Sequence, residues 1–333
     1  MGDLTFVDVC AGAGGLAIGL ERAGFTPRLL LDEDEDACRT LSTNRPDWNV
    51  LQADLVDFDP SEHPESQDVD LLSAGLPRVK SNATITRTET GREEQLLRAA
   101  VYLVHAIRPR ALLLENVPGL ADSDKFQEFR DFARAELEHL GYEFSWFVLN
   151  AADFGVPQDR KQGVLVAIQR QWFAGFHPPV PTVTEHVSVG EALGPSMRSL
   201  GWPDADRWAA QATSVAPTLV GGSKNRGGAD LGPRGTKRKW ETMGVNAHSL
   251  GNELPGPDFR WDPELGRDGM VQVTVDQAAV LQGFPDYWTV TGRKTPRYRQ
   301  IGHASPPPVG EALGLAIAEA LDRNPDPVIF AAG

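Results

Sequence analysis

The stretch Phe6-Val7-Asp8-Val9-Cys10-Ala11-Gly12-Ala13-Gly14-Gly15 decides how the chain is read. It runs as a short apolar strand into a glycine-rich turn and then into an amphipathic helix. Glycine lets the backbone approach a ligand closely, and a helix amino terminus offers N–H groups that have no partner inside the helix. Alone the pattern is a weak signal, because nucleotide folds of many functions share it and a plain tight turn explains it as well. Asp32, expected at the end of the next strand, adds an acid able to hold ribose hydroxyls.

Outward from this turn, the first half repeats strand then helix. Short apolar runs at Thr5–Val9, Arg28–Leu31, Leu71–Ser73 and Ala111–Leu114 alternate with helical patterns, which predicts an α/β fold on a mostly parallel sheet. The clearest helix follows the last run. Ser123 or Asp124 caps it, Phe126, Phe129, Ala133, Leu137 and Leu140 form one apolar face, and Gly141 stops it. A further strand pair is expected at Glu143–Leu149 and Gly163–Ile168. Beyond it, Pro, Gly, Trp and charged residues dominate with weak periodicity. The expected division is therefore a ligand-binding domain over 1–168, a small irregular domain over 169–267, and a segment over 268–333 that returns to the first domain through a helix at Pro308–Leu321. No second βαβ nucleotide-binding half is visible, which favours S-adenosylmethionine (SAM) over a dinucleotide.

The 333 residues carry a net charge of −14, which argues against an indiscriminate nucleic-acid binder coated with positive potential. Two local exceptions stand out. Lys224, Arg226, Arg234, Lys237, Arg238 and Lys239 lie close together with one acid, Asp230, and Arg293, Lys294, Arg297 and Arg299 follow later. Without context these read as two solvated loops. The cysteines, Cys10 and Cys38, are too few for a metal cluster or a disulfide framework, and a reduced compartment suits them. No apolar run approaches the roughly 18 residues of a membrane span, and the amino terminus lacks a secretory pattern, so a cytoplasmic protein with no membrane partner is expected.

Four further motifs change the weight of the first. Leu114-Glu115-Asn116-Val117, Phe154-Gly155-Val156-Pro157-Gln158-Asp159-Arg160, Leu281-Gln282-Gly283-Phe284-Pro285, and Tyr298-Arg299-Gln300-Ile301-Gly302-His303-Ala304 with Pro306–Val309 follow in that order. Together they resemble the ENV, GVPQxRxR, LQGFP and YRQIGNA…PPPV motifs of the cytosine-C5 DNA methyltransferases, from residue 5 to about 322. The resemblance implies a Rossmann-like SAM-dependent fold with a small target-recognition domain, and SAM and double-stranded DNA as ligands. It implies a cofactor shell of Asp8, Cys10, Gly12, Gly14, Gly15, Asp32 (where the family usually has Glu), Glu33, Asp54, His303 and Ser305, with Gly12, Gly14 and Gly15 at the methionine end, Asp32 at the ribose and Asp54 at the adenine amino group. Glu115 would grip the Watson–Crick edge of an extruded cytosine, with Gln158 and Arg160 beside the base and its phosphate. Lys224, Arg226, Lys237, Arg238 and Arg297 would meet DNA phosphates. For His303 a buried, hydrogen-bonded place is expected rather than acid–base work.

The pattern breaks at the reacting base. The family's GGPPCQxFS segment brings a cysteine whose thiolate adds to C6 of cytosine. Here the segment is Ser73-Ala74-Gly75-Leu76-Pro77-Arg78-Val79-Lys80-Ser81-Asn82, and Arg78 stands at the cysteine. Arginine stays protonated and cannot be that nucleophile. Gln162, Gln277 and His303 also depart from the family pattern, and the Asp/Asn-Pro-Pro-aromatic motif of amino-methyltransferases is absent. The sequence therefore predicts a SAM- and DNA-binding homologue without ordinary C5 activity, acting in regulation, in restriction-modification or defence, or beside a partner methyltransferase. The alternative is a SAM-dependent nucleic-acid or nucleotide modification that needs no cysteine.

Overall fold

The computed structural model describes residues 4–79, 87–222 and 229–322, with 87–90 described by backbone alone. The chain divides into two compact units, one of Met1–Leu149, Lys161–Val180 and Val309–Gly333, the other of Asn150–Arg160 and Pro181–Pro308. The strands are β1 (Leu4–Val9), β2 (Phe25–Asp32), β3 (Val50–Gln52), β4 (Leu71–Gly75), β5 (Ala111–Asn116), β6 (Tyr142–Asn150), β7 (Gln158–Asp159), β8 (Lys161–Gln169) and β9 (Ala216–Pro217). In the first unit seven of them form one sheet in the order β3-β2-β1-β4-β5-β8-β6. Neighbours from β3 to β5 pair in parallel, and β8 runs antiparallel to β5. Every residue of β5 is buried, as a parallel strand covered on both faces requires.

The helices of this unit are α1 (Gly15–Arg22), α2 (Glu35–Asn44), α3 (Arg87–Ile107), α4 (Gly119–Asp122), α5 (Gln127–His139) and α6 (Arg170–Phe173). The expected cap is Ser123, whose side chain accepts from Lys125 N, but it opens a 3-10 turn at Asp124–Phe126 that leads into α5. Phe129, Ala133 and Leu137 then recur every fourth residue on the buried face of α5. Among the described residues no helix is long and apolar enough to cross a membrane.

The second unit holds α7 (Val189–Arg198), α8 (Ala205–Gln211), α9 (Arg234–Thr242), α10 (Val275–Leu281) and α11 (Lys294–His303), around the buried Trp208 and Trp240. The last helix, α12 (Pro307–Asp322), lies against α1, with Gly310 close to Leu16 and Gly19. A Cβ at Gly310 would lie 3.0 Å from the Leu16 carbonyl oxygen, so a larger residue there would require the two helices to give by a few tenths of an ångström.

Three expectations are corrected. The boundaries 1–168, 169–267 and 268–333 do not match the compact units, because Asn150–Arg160 and residues 268–308 belong to the second unit. The region expected to be irregular contains three of the helices just named; α7 begins with a capping box between Ser188 and Glu191 and buries Val189, Leu193 and Met197. The second basic cluster is no loop, since Lys294, Arg297 and Arg299 ride on α11.

Candidate functional site

In the first unit, β1 ends in a turn where Cys10 (φ 54°), Gly12 (φ 54°) and Gly14 (φ 81°) are all left-handed. A non-glycine residue there costs of order 1–3 kcal/mol and persists only where its surroundings impose it. Beside Cys10, Ala11 N donates to the Leu31 carbonyl at 3.0 Å, and Asp32, buried at the end of β2, holds the turn that follows. Gly12 N donates to its Oδ2 and Asp34 N to its Oδ1, each at 2.8 Å. Each carboxylate oxygen keeps a further lone pair for a ribose hydroxyl. A Cβ at Gly12 would meet nothing within 4 Å, so the turn presents open backbone.

The electrostatics of this end favour a cation. Burial pushes the Asp8 carboxyl up to about 7, with the Asp32 charge adding and a hydrogen bond from Ser73 opposing. Burial, then Asp32, Asp8, Glu33 and Asp54, pushes the Cys10 thiol well above the usual range. Four carboxylates around one glycine turn repel a pyrophosphate and suit a ligand bearing a sulfonium and an ammonium. These residues fit SAM. Asp54, expected at the adenine, accepts from Val56 N at 2.9 Å through Oδ1 and from Arg92 through Oδ2.

Beside β1, β4 leads into the segment carrying Arg78. Asn116, at the end of β5, clamps it. Its Oδ1 accepts from Val79 N (3.1 Å) and Val117 N (2.9 Å), and its Nδ2 donates to the carbonyls of Leu76 (3.3 Å) and Pro77 (3.1 Å). The clamped backbone brings the Arg78 Nη2 to 4.0 Å from Glu115 Oε1. That Glu115 oxygen and the Arg78 Nε and Nη2 are buried without a hydrogen-bond partner among the described residues. Lys80 lies outside the described residues.

In the second unit, Arg160 differs from the expectation of a residue beside the base. Its buried guanidinium donates to the carbonyls of Leu219 (2.9 Å), Gly302 (3.1 Å) and Ala304 (2.9 Å). Gln158 is likewise buried, donating to Leu281 O and Gln282 Oε1 and accepting from Leu219 N. The GVPQ, LQGFP and GHA segments thus form one polar core, a scaffold rather than a ligand surface. His303, expected to be buried, is exposed at the end of α11, whereas Ser305 is buried.

Lys224 and Arg226 lie outside the described residues. Lys237 pairs with Asp230 at 2.8 Å, and Arg297 donates to Asp276 and to Val290 O. Arg238 is exposed on α9, which with Arg234, His248 and Arg267 borders an open cavity of about 780 Å³. The sequence reading missed two residues. The clamp made by Asn116 joins segments 37 to 40 positions apart, which the motif alone does not indicate. Arg92 sits 38 positions from Asp54, and no spacing rule points to it.

Type II methyltransferase M.NaeI of Lentzea aerocolonigenes is 42% identical over 330 residues, covering 97% of this chain and 77% of that protein. Type II methyltransferase M.NgoMIV of Neisseria gonorrhoeae is 37% identical over 328 residues, covering 96% and 99%. Among solved structures, the Entamoeba histolytica methyltransferase EhMeth superposes with a TM-score of 0.66 at 14% identity, over 97% of this chain and 100% of its own. The S. pombe Dnmt2 methyltransferase gives 0.63 at 16% identity, over 96% and 100%. These two share the SAM-dependent fold. The model of the C-5 cytosine-specific DNA methylases matches residues 4–319, and the chain belongs to that family, whose methyl donor is SAM.

Proposed function

We propose that this chain binds SAM and double-stranded DNA and does not carry out ordinary C5 methylation. One observation carries the reading: the clamp made by Asn116 delivers Arg78, a side chain with no nucleophilic lone pair at working pH, to the place beside Glu115. Neither cysteine supplies the missing thiolate. The Cys10 thiol is pushed well above its ordinary value within the glycine turn. Burial, with the charges of Asp32 and Asp34, pushes Cys38 up to about 11, and its Sγ donates to the Asp32 carbonyl at 3.4 Å. The intact cofactor end beside a replaced nucleophile suits a cytoplasmic protein that recognises a site, or one that acts with a partner methyltransferase or with restriction or defence proteins.

A second reading rests on the unpartnered buried atoms of Arg78 and Glu115. A ligand that offers an acceptor to the guanidinium and an N–H to the carboxylate satisfies both. That arrangement supports SAM-dependent modification of a nucleic acid or nucleotide by chemistry without a cysteine.

Equilibrium titration of the purified chain with SAM, followed by mixed-sequence duplex DNA, tests the proposal. Saturable binding of both is expected. A chain that binds duplex but not SAM overturns the cofactor half, and one that binds neither overturns the whole.

A further inference from the structure

Asp54 has two carboxylate oxygens, and each already accepts one hydrogen bond. Oδ1 takes the Val56 N–H at 2.9 Å, and Oδ2 takes the guanidinium of Arg92. The same Arg92 Nη2 lies 3.8 Å from Glu33, an exposed acid of the expected cofactor shell, and its Nη1 reaches Gln95 at 3.3 Å within α3. These contacts, with the backbone bond of Val56 first, hold the Asp54 carboxyl below its ordinary range. A single side chain on α3 therefore bridges the acids that follow β2 and β3. The helix that carries it is the first element described after the Arg78 segment.

We propose that Arg92 competes with the adenine amino group of the cofactor for Asp54, so that cofactor binding is set against the tether between α3 and the acid pair. The inference rests on the reading of Asp54 as the adenine acceptor. With Oδ1 turned to the Val56 N–H, Oδ2 is the oxygen left for an adenine N–H, and the guanidinium already there offers a stronger, charge-assisted bond that crowds the approach. The competition is mild. The Arg92 and Asp54 side chains are 37% and 31% exposed, so the pair is screened by water and salt. Arg92 is thus a positioning residue that tunes affinity without blocking the site.

The experiment is calorimetric titration with S-adenosylhomocysteine, which keeps the adenine and lacks the sulfonium charge. Wild type, Arg92→Ala, Arg92→Gln and Arg92→Lys are compared at low and high salt. Relief of the competition is expected to tighten binding by about two- to fivefold in Arg92→Ala and Arg92→Gln. Arg92→Lys should return toward wild type, and high salt should tighten the wild type towards Arg92→Ala. A merely structural Arg92 predicts a lower melting temperature without ligand and no salt-dependent convergence. Unchanged or weaker binding in both neutral variants, with the wild type binding normally, overturns the competition while leaving the cofactor reading intact. If no variant binds, the cofactor reading falls and takes this inference with it.

Discussion

The strands β1 and β4 leave the sheet side by side, paired in parallel from Phe6↔Leu71 to Val9↔Ala74, and their exits are secured in different ways. The β1 exit is held by an acid: Asp32 takes the backbone N–H groups of Gly12 and Asp34, and its remaining lone pairs are available to a ligand. The β4 exit is held from the side by an amide: Asn116 uses both its oxygen and its nitrogen on the backbone around Arg78, and contributes nothing outward. On the proposed role of Asp32, the residue that fixes the loop at the first exit also serves the ligand, so exchanging it should cost both. At the second the two tasks are divided. The scaffold is separate from the side chain it presents, which here is Arg78.

The sharpest test of this division is Asn116→Ala. It leaves the buried Val79 N–H without its partner and weakens the turn at Val117, so a loss of about 2–4 kcal/mol is expected in denaturant unfolding. SAM affinity should stay within about threefold of wild type in the folded variant. Asp32→Ala should lose both properties. It removes the acceptor of the Gly12 and Asp34 N–H groups and, on the proposed role, of the ribose hydroxyls, so a lower unfolding free energy and an affinity weakened roughly 10- to 100-fold are expected. If both variants lose stability and affinity in equal proportion, the division between the exits is wrong.

A smaller effect concerns pH. Asp8 has a folded pKa of about 7 against an ordinary 3.8, so the folded chain holds this proton more tightly than the unfolded one. The stabilisation this contributes is complete below about pH 4 and is lost as pH rises through 7. Asp8→Asn should therefore gain stability relative to wild type between pH 5 and 8, by about 1–3 kcal/mol in paired melting curves. A difference that is flat with pH contradicts the assignment. The smallest effect is expected for Arg78→Ala, whose SAM affinity should change less than about threefold, because Arg78 has no described contact with the cofactor acids.

Much of the first unit was legible because its signals are local. Apolar runs such as Leu71–Leu72 and Ala111–Leu114 mark buried parallel strands, and the glycine turn announces itself by spacing. The short edge strand β3 was missed because three residues carry no period. The helices of the second unit were hidden by composition. Gly190, Gly194 and Pro195 break the appearance of α7, although Val189, Leu193 and Met197 keep the four-residue interval that buries them. At the site, Asp32 was readable from its place after a strand. Arg160 and Gln158 were not, because a motif match says that a residue belongs and not whether it faces a ligand or three carbonyls. Arg92 depends on two segments meeting in space, which no pattern along the chain records.

The central claim is that Arg78 replaces the chemistry of the β4 exit and leaves the cofactor end working. The direct measurement is mass spectrometry of nucleosides from mixed-sequence duplex DNA incubated with the purified chain and labelled SAM, on protein whose melting temperature SAM has already been found to raise. The account predicts a thermal shift, near 2.7 kcal/mol of added stability at 100 times the dissociation constant, and no 5-methylcytosine. Labelled 5-methylcytosine formed by this chain alone would contradict it.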